Sequence, residues 1–154
     1  MASNRHLGRI VALQTLYEYE FRTHAGDEHI DLAEILSRNL ERYESAIEDK
    51  QFVDGLVHGV LDTVDDLDTK LQPIAPEWPI DQIARIDRAV LHIGLYELLH
   101  SADSVPPKVV INEAVELAKS FGSDNSSKFV NGVLGTAYRT LIEGDSDHAG
   151  TQAG

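Results

Sequence analysis

The sequence, 154 residues long, predicts an all-α protein. In most of the chain, apolar residues recur at steps of three and four, which is the spacing of one helix face. No stretch shows the apolar–polar alternation that is typical of a half-buried strand. Proline and glycine stand between the periodic segments, where they end helices. We therefore expect six to seven helices.

Three helices are expected before a proline-rich segment. They cover about residues 3–22, 31–47 and 51–71. The segment PIAPEWP then holds three prolines in seven residues, which cannot continue a helix. It predicts an N-terminal half over about 3–72 and a C-terminal half over about 79–142, within one domain of residues 1–142. Trp78 is expected to be buried at this junction.

The C-terminal half begins with a helix from Asp81 to about His100. This helix is apolar on more than one face and should be central. The stretch PPKVVINEAVELAKSFGSDNSSKFVNGVL, residues 106–134, then predicts two helices joined by a polar turn. Pro107 suits a first helical turn, and Gly122 ends that helix. The last helix extends to Leu141, and residues 143–154 lack periodicity and predict a disordered tail.

Three polar or small residues in this stretch break the helical pattern. Asn112 and Asn131 lie beside apolar faces, which predicts internal hydrogen bonds for both. Gly132 costs helix propensity in mid-helix, which predicts the close approach of a neighbouring helix.

Composition excludes several classes of protein. Cysteine is absent, which excludes disulfides and cysteine-ligated metal. No apolar run approaches the ~20 residues of a membrane span. The N-terminus lacks the apolar core of a secretory signal, so we expect a soluble cytoplasmic protein.

The net charge of −13 argues against non-specific nucleic-acid binding. The acidity is concentrated in residues 27–77, with fourteen acids against four bases, whereas residues 1–25 hold three Arg and two Glu.

The sequence carries no enzymatic motif. It contains neither GxGxxG nor GxxxxGK[ST], and its seven histidines form no HExxH. We therefore expect a binding protein that is not an enzyme and needs no cofactor or metal.

The first helix holds candidate nucleic-acid contacts. Arg5 and Arg9 are four residues apart, and a guanidinium can bind phosphate through two parallel hydrogen bonds. Tyr17 could stack on an unpaired base. Two structural alternatives stay open. Tyr17 shares a helical stripe with Ile10, Leu13 and Phe21, which favours a core position. Arg5 and Arg9 could also be ordinary solvated surface groups.

Several segments resemble the NusB family of transcription antitermination factors. INEAVELAKSFG and KFVNGVL match its signature, and RxxALQTLYEYEF, FVDGLVHGVL and IARIDRAVLHIGLYELLHSADSVP extend the similarity through Leu141. The resemblance implies an all-α, NusB-like helical bundle with two three-helix halves. It also implies a heterodimer with ribosomal protein NusE that binds boxA RNA, joins the RNA polymerase antitermination complex and supports transcription of ribosomal RNA operons.

The resemblance also implies site residues. The family's arginine-rich motif falls on Asn4–Arg9, and the remaining RNA contacts fall on the first and last helices. The implied RNA-binding residues are Arg5, His6, Arg9, Gln14, Tyr17, Lys128 and Phe129. Asp87 and Asn125 are the implied contacts with NusE. Asn125 stands where the family often has Asp, so a charge is lost while capping ability stays. An uncovered partner surface is also compatible with a homodimer when NusE is absent.

Two other functions are alternatives to antitermination. The chain could be a helical protein-interaction factor in ribosomal RNA maturation with weak or no direct RNA binding, because its arginine motif is short and its charge is −13. The same helical module also occurs fused to an RNA cytosine methyltransferase, but this chain has no cysteine to act as nucleophile.

Overall fold

The computed structural model describes residues 2–43, 45–75, 79 and 82–143, with side chains from Arg5 onward. These residues form six α-helices and one π-helical turn, and no strand occurs among them. The elements are α1 (Ala2–His24), α2 (Leu32–Arg42), α3 (Lys50–Ile74), α4 (Arg85–His100), α5 (Pro107–Phe121), α6 (Ser126–Ala137) and the π-helical turn Tyr138–Glu143. The predicted all-α class is confirmed. The expectations for Trp78 and for the tail beyond Glu143 lie outside the described residues.

The chain divides into two compact units, Met1–Asp62 and Thr63–Gly154. This boundary falls inside α3, whereas the sequence placed the division at the proline-rich segment after residue 72. Helix α3 also extends beyond its predicted end and includes Pro73. Pro73 has no N–H to donate to the carbonyl of Thr69, and the helix ends one residue after it, at Ile74.

In the first unit, α1 packs against α2. Apolar side chains from three helices are buried there: Val11, Ala12, Leu13, Leu16, Ile35, Leu36, Val53, Leu56, Val57 and Val60. One polar pair is buried among them, because the Asn39 amide donates to the Thr15 hydroxyl over 3.0 Å. Pairing removes the cost of burying both groups and fixes how α1 and α2 align.

Helix α2 starts as predicted and ends early. The Asp31 side chain accepts from the backbone N–H groups of Ala33 and Glu34, which caps the helix. The helix ends at Arg42, and the Tyr43 N–H turns back to the carbonyl of Leu40 over 3.1 Å. The expected extension to Ile47 is therefore wrong.

In the second unit, α4, α5 and α6 pack against one another. The prediction of a central α4 is confirmed, since ten of its residues are buried: Asp87, Ala89, Val90, Leu91, His92, Ile93, Gly94, Leu95, Glu97 and Leu98. The close helix approach lies at Gly94, where a Cβ atom would stand 2.6 Å from Leu134 Cδ1. The expectation for Gly132 is wrong, because a Cβ there would meet nothing within 4 Å.

The turn between α5 and α6 depends on a glycine for space. Gly122 ends α5 with φ −96°, outside the left-handed region. A Cβ on it would lie 2.4 Å from the hydroxyl of Ser126 and 2.8 Å from the carbonyl of Ala118. The buried Ser126 hydroxyl accepts from the Ser123 N–H over 2.9 Å, which closes the turn.

The two helical asparagines in this region point outward. Asn112 on α5 and Asn131 on α6 are both exposed, so the expectation of internal hydrogen bonds is wrong for both. Periodicity could not place them, because residues that flank an apolar stripe lie at its boundary and can turn either way.

Candidate nucleic-acid and protein interfaces

The first candidate surface lies where the start of α1 meets the start of α3. The guanidinium carbon of Arg5 stands 4.7 Å from the centroid of the Phe52 ring, and that of Arg9 stands 5.2 Å from it. A cation over an aromatic face is attracted by the ring quadrupole. One ring on α3 therefore holds both arginines of the predicted motif.

Two local features bring Phe52 to this position. The Asp49 side chain accepts from the Phe52 N–H over 3.0 Å, which fixes the first turn of α3. On α1, Gly8 lies between the arginines, and a Cβ there would be 3.2 Å from both Phe52 Cδ2 and Val53 Cγ2. The glycine therefore allows α1 to lie close to the Phe52 ring.

The two arginines differ in exposure. Arg5 is partly exposed, whereas Arg9 is only 2% exposed. The alternative that Arg9 is an ordinary solvated surface group is wrong, because its side chain packs against the Phe52 ring of α3 and is buried. His6, between them, is partly exposed. Arg5 and His6 are therefore the motif residues that a ligand can reach.

The other candidates on α1 lie on a different side of the helix. At about 3.6 residues per turn, Gln14 lies about 180° and Tyr17 about 120° around the axis from Arg5. The structure therefore does not bring them together with Arg5 on one face. Gln14 is partly exposed, but its Oε1 atom is buried and has no hydrogen-bond partner within the described chain.

Tyr17 belongs to an exposed aromatic pair. Tyr17 is 36% and Phe21 is 49% exposed, and their rings stack with centroids 6.2 Å apart. The alternative that placed Tyr17 in the core is therefore wrong. Phe21 was missed as a surface residue, because its spacing from Leu13 and Tyr17 is that of an apolar face and carries no sign of exposure.

The second unit carries a cavity of about 280 Å³ that the sequence did not predict. The start of α4 and the turn before α6 form its walls, and it is lined by Gln82, Ile83, Ala84, Asp87, Ser123, Asn125, Ser126 and Phe129. It brings together both residues implied as NusE contacts, Asp87 and Asn125, with Phe129, implied as an RNA contact. Lys128 is exposed beside Phe129 in the first turn of α6 but does not line the cavity.

Asp87 contributes to this cavity a carboxylate oxygen that lacks a hydrogen-bond donor. It is 9% exposed, and its Oδ1 atom is buried without a hydrogen-bond partner among the described residues. Its place in the first turn of α4 favours negative charge, because the helix dipole is positive there. The carboxylate is therefore suited to accept a hydrogen bond from a donor that enters the cavity.

A partly buried polar network holds the next turn of α4. Asp68 on α3 receives hydrogen bonds from the His92 ring over 2.6 Å and from Arg88 over 3.1 Å. Burial raises the pKa of Asp68, but hydrogen bonding and charge attraction from His92 and then Arg88 outweigh it and hold the pKa below its ordinary value. This network fixes α4 beside Asp87.

In the described part of the chain, no three His, Asp or Glu side chains are grouped to hold a metal ion. In the same part of the chain, no helix has the length and apolar character needed to cross a membrane.

The six helices and the surfaces they carry define an all-α protein of two compact units, with candidate sites suited to binding. The NusB family model matches residues 6–139, and the chain belongs to the NusB family. It is 47% identical over 149 residues to the transcription antitermination protein NusB of Chloroflexus aggregans (strain MD-66 / DSM 9485), an alignment that covers 96% of this chain and 95% of that protein.

Solved structures show the same fold. NusB of T. maritima is 30% identical and superposes with a TM-score of 0.77 over 88% of this chain and 90% of that one. A NusB chain from a crystal structure of the antitermination factors NusB and NusE with dsRNA is 24% identical, with a TM-score of 0.76 over 91% and 99% of the two chains. At 24% identity, this second similarity supports the shared fold alone.

Proposed function

We propose that this chain is a transcription antitermination factor that binds boxA RNA as a heterodimer with ribosomal protein NusE and supports transcription of ribosomal RNA operons. The observation that carries the proposal is the family match over residues 6–139, which includes nearly every described residue. The 47% identity to a protein named for transcription antitermination supports the same role. In this role the heterodimer would join the RNA polymerase antitermination complex.

The proposed RNA contacts of the first unit form two groups on α1. Arg5 and His6 are accessible and would bind phosphates, since the Arg5 guanidinium carries several N–H donors at its edge. Arg9 would contribute by packing against Phe52. On another side of α1, the exposed Tyr17 ring would stack on an unpaired base, as sequence-tolerant RNA-binding proteins do with aromatic side chains.

The proposed contacts of the second unit lie at the start of α6. Lys128 is exposed and would pair with a phosphate, and the partly exposed ring of Phe129 would stack on a base. Phe129 also lines the cavity that holds Asp87 and Asn125. Its ring would therefore be shared between the RNA surface and the partner surface.

The cavity is the proposed contact with NusE. Leaving a carboxylate oxygen buried without a partner is costly, and a donor from NusE would remove that cost at Asp87. Asn125 contributes a neutral polar side chain to the same cavity. Without NusE this surface would be uncovered, and we propose that two copies of the chain then associate through it.

One observation favours the second candidate function, a protein-interaction factor with weak direct RNA binding. Because Arg9 is buried, Arg5 is the one arginine of the motif that can reach RNA. Each lost phosphate contact weakens binding and lowers its salt dependence. In both functions the protein would be a cytoplasmic binding factor with no catalytic activity.

A transcription assay tests the proposal. Templates with and without a boxA element upstream of a terminator would be transcribed in the presence of the other antitermination factors, with and without this protein. We expect read-through to rise with the protein only when both boxA and NusE are present. Read-through that is the same with and without the protein would contradict the proposed function.

A further inference from the structure

Phe52 is not one of the proposed RNA contacts, yet both arginines of the motif lie over its ring. It is on α3, and its ring is 4.7 Å from the Arg5 guanidinium carbon and 5.2 Å from that of Arg9. Arg9 is buried and Arg5 is partly exposed, so the same ring contacts one covered cation and one accessible cation. Apolar packing alone does not explain why two positive charges lie at one ring, whereas cation–π attraction does.

From this geometry we infer that Phe52 is a positioning residue for RNA binding, which holds the Arg5 guanidinium in place for a phosphate. The inference rests on the proposed RNA-binding function. A guanidinium is planar and its N–H donors lie in that plane. A contact through the guanidinium face would leave this donor edge available for the paired hydrogen bonds that phosphate accepts.

The energetic reason is the flexibility of an arginine side chain. A free arginine loses rotamer freedom when it binds phosphate, and a side chain already held in place loses less. The backbone of Phe52 is held because its N–H donates to Asp49, and the ring lies close to Gly8 of α1, where it has little room to move. The ring thus provides a rigid support on α3 for a flexible cation on α1.

The expected size of the effect follows from the strength of a partly exposed cation–π contact. Loss of the ring should weaken RNA binding by about 2- to 5-fold. Phe52→Leu keeps an apolar side chain and removes the aromatic face, whereas Phe52→Tyr keeps the face. Phe121→Leu is the matched control, because it removes an exposed ring on α5, in the other unit.

A double-mutant cycle tests the inference, with boxA RNA as the probe and the complex with NusE as the protein. Phe52→Leu should weaken binding about 2- to 5-fold in the wild-type background and have no further effect in an Arg5→Gln background. Phe52→Tyr and Phe121→Leu should bind as the wild type does. In the free protein, the NMR signals of the Arg5 δ protons should lose their ring-current shift in Phe52→Leu, a readout that needs no RNA.

Three results would overturn the inference. Equal weakening by Phe52→Leu in both backgrounds would mean that the ring acts through general stability. Unchanged binding in Phe52→Leu while Arg5→Gln weakens binding would leave the RNA function intact and remove the role of Phe52. A wild-type complex that does not bind boxA RNA would instead remove the proposed function, and this inference with it.

Discussion

The Asp68 carboxylate and the His92 imidazole lie 2.6 Å apart, where the second half of α3 packs beside α4. His92 is 8% exposed, and Arg88 bonds to the other carboxylate oxygen. The carboxylate thus holds two neighbouring turns of α4 with a single side chain. Asp87, which lines the cavity, is on the same helix. The contacts of Asp68 therefore stabilise the helix that positions the proposed partner site.

Replacement of Asp68 by Asn should destabilise the protein in a pH-dependent way. The pKa of Asp68 is depressed in the folded state, so its ionised form contributes stability above its ordinary pKa of about 3.9, and that contribution is lost as the pH falls through the lower, folded value. At pH 7, Asp68→Asn should cost about 1–3 kcal/mol, because the neutral amide has one acceptor oxygen for two partly buried donors. Urea unfolding from pH 7 to pH 3 measures this.

The control for that series is Asp66→Asn. Asp66 bonds to Lys70 on the exposed side of α3, and such pairs contribute little. The difference between wild type and Asp68→Asn should shrink below about pH 4. A difference that stays constant down to pH 3 would contradict the assigned role of the ionised carboxylate.

Substitutions of the two arginines should separate folding from binding. Arg9 is buried against the Phe52 ring, so Arg9→Ala should cost about 1–3 kcal/mol and lower the melting temperature by about 2–4 °C per kcal/mol. A solvated surface arginine, one of the alternatives from the sequence, would show no such loss. Arg5→Ala should change the melting temperature little and reduce both RNA affinity and its salt slope. Circular dichroism measures the melting temperatures and titration measures RNA affinity. If Arg9 were the exposed contact, Arg9→Ala would lose RNA affinity and keep the melting temperature of the wild type.

Removal of the exposed Tyr17 ring should weaken RNA binding without unfolding the protein. Base–aromatic stacking contributes about 1–3 kcal/mol per base, so Tyr17→Ala should lower affinity about 5- to 150-fold. Val109→Ala, which shortens a comparably exposed apolar residue on α5, is the control and should bind RNA normally. If the two variants bind equally well, Tyr17 is not a contact.

Asp87→Ala should weaken partner binding without loss of folding stability. Removal of the unpaired buried oxygen favours folding, and this gain should at least offset the loss of a negative charge in the first turn of α4, which costs about 0.3–1 kcal/mol. Affinity for NusE should fall by about 1.5–3 kcal/mol, the contribution of a hydrogen bond to a charged group. Isothermal titration with NusE measures this, and Asp103→Ala, at an exposed loop position, is the control. Unchanged affinity in Asp87→Ala would exclude the cavity as the contact.

Periodicity in the sequence predicted the helices well because helical spacing is a local property. The central α4, the start of α5 at Pro107 and its end at Gly122 all follow from residues near one another in the chain. Helical spacing and side-chain chemistry indicated Arg5, Arg9 and Tyr17, and the family resemblance added the expected function and the other candidate residues.

Features that depend on distant residues were not predictable. In the sequence, Phe52 has the spacing of an ordinary apolar-face residue of α3. Only the packing of α1 brings two arginines over its ring. The cavity joins Asp87 to Asn125 through the packing of α4 against the turn before α6. Periodicity likewise assigned Tyr17 to the core, although the folded chain leaves its side chain exposed.

The central claim is that RNA binding requires the heterodimer and the accessible residues of α1. The most direct test measures boxA RNA affinity with and without NusE at two salt concentrations. We predict that NusE strengthens binding and that the complex loses affinity as salt rises, with a shallow slope because few phosphate contacts remain. An RNA affinity that is absent even with NusE would contradict this account and favour the protein-interaction function.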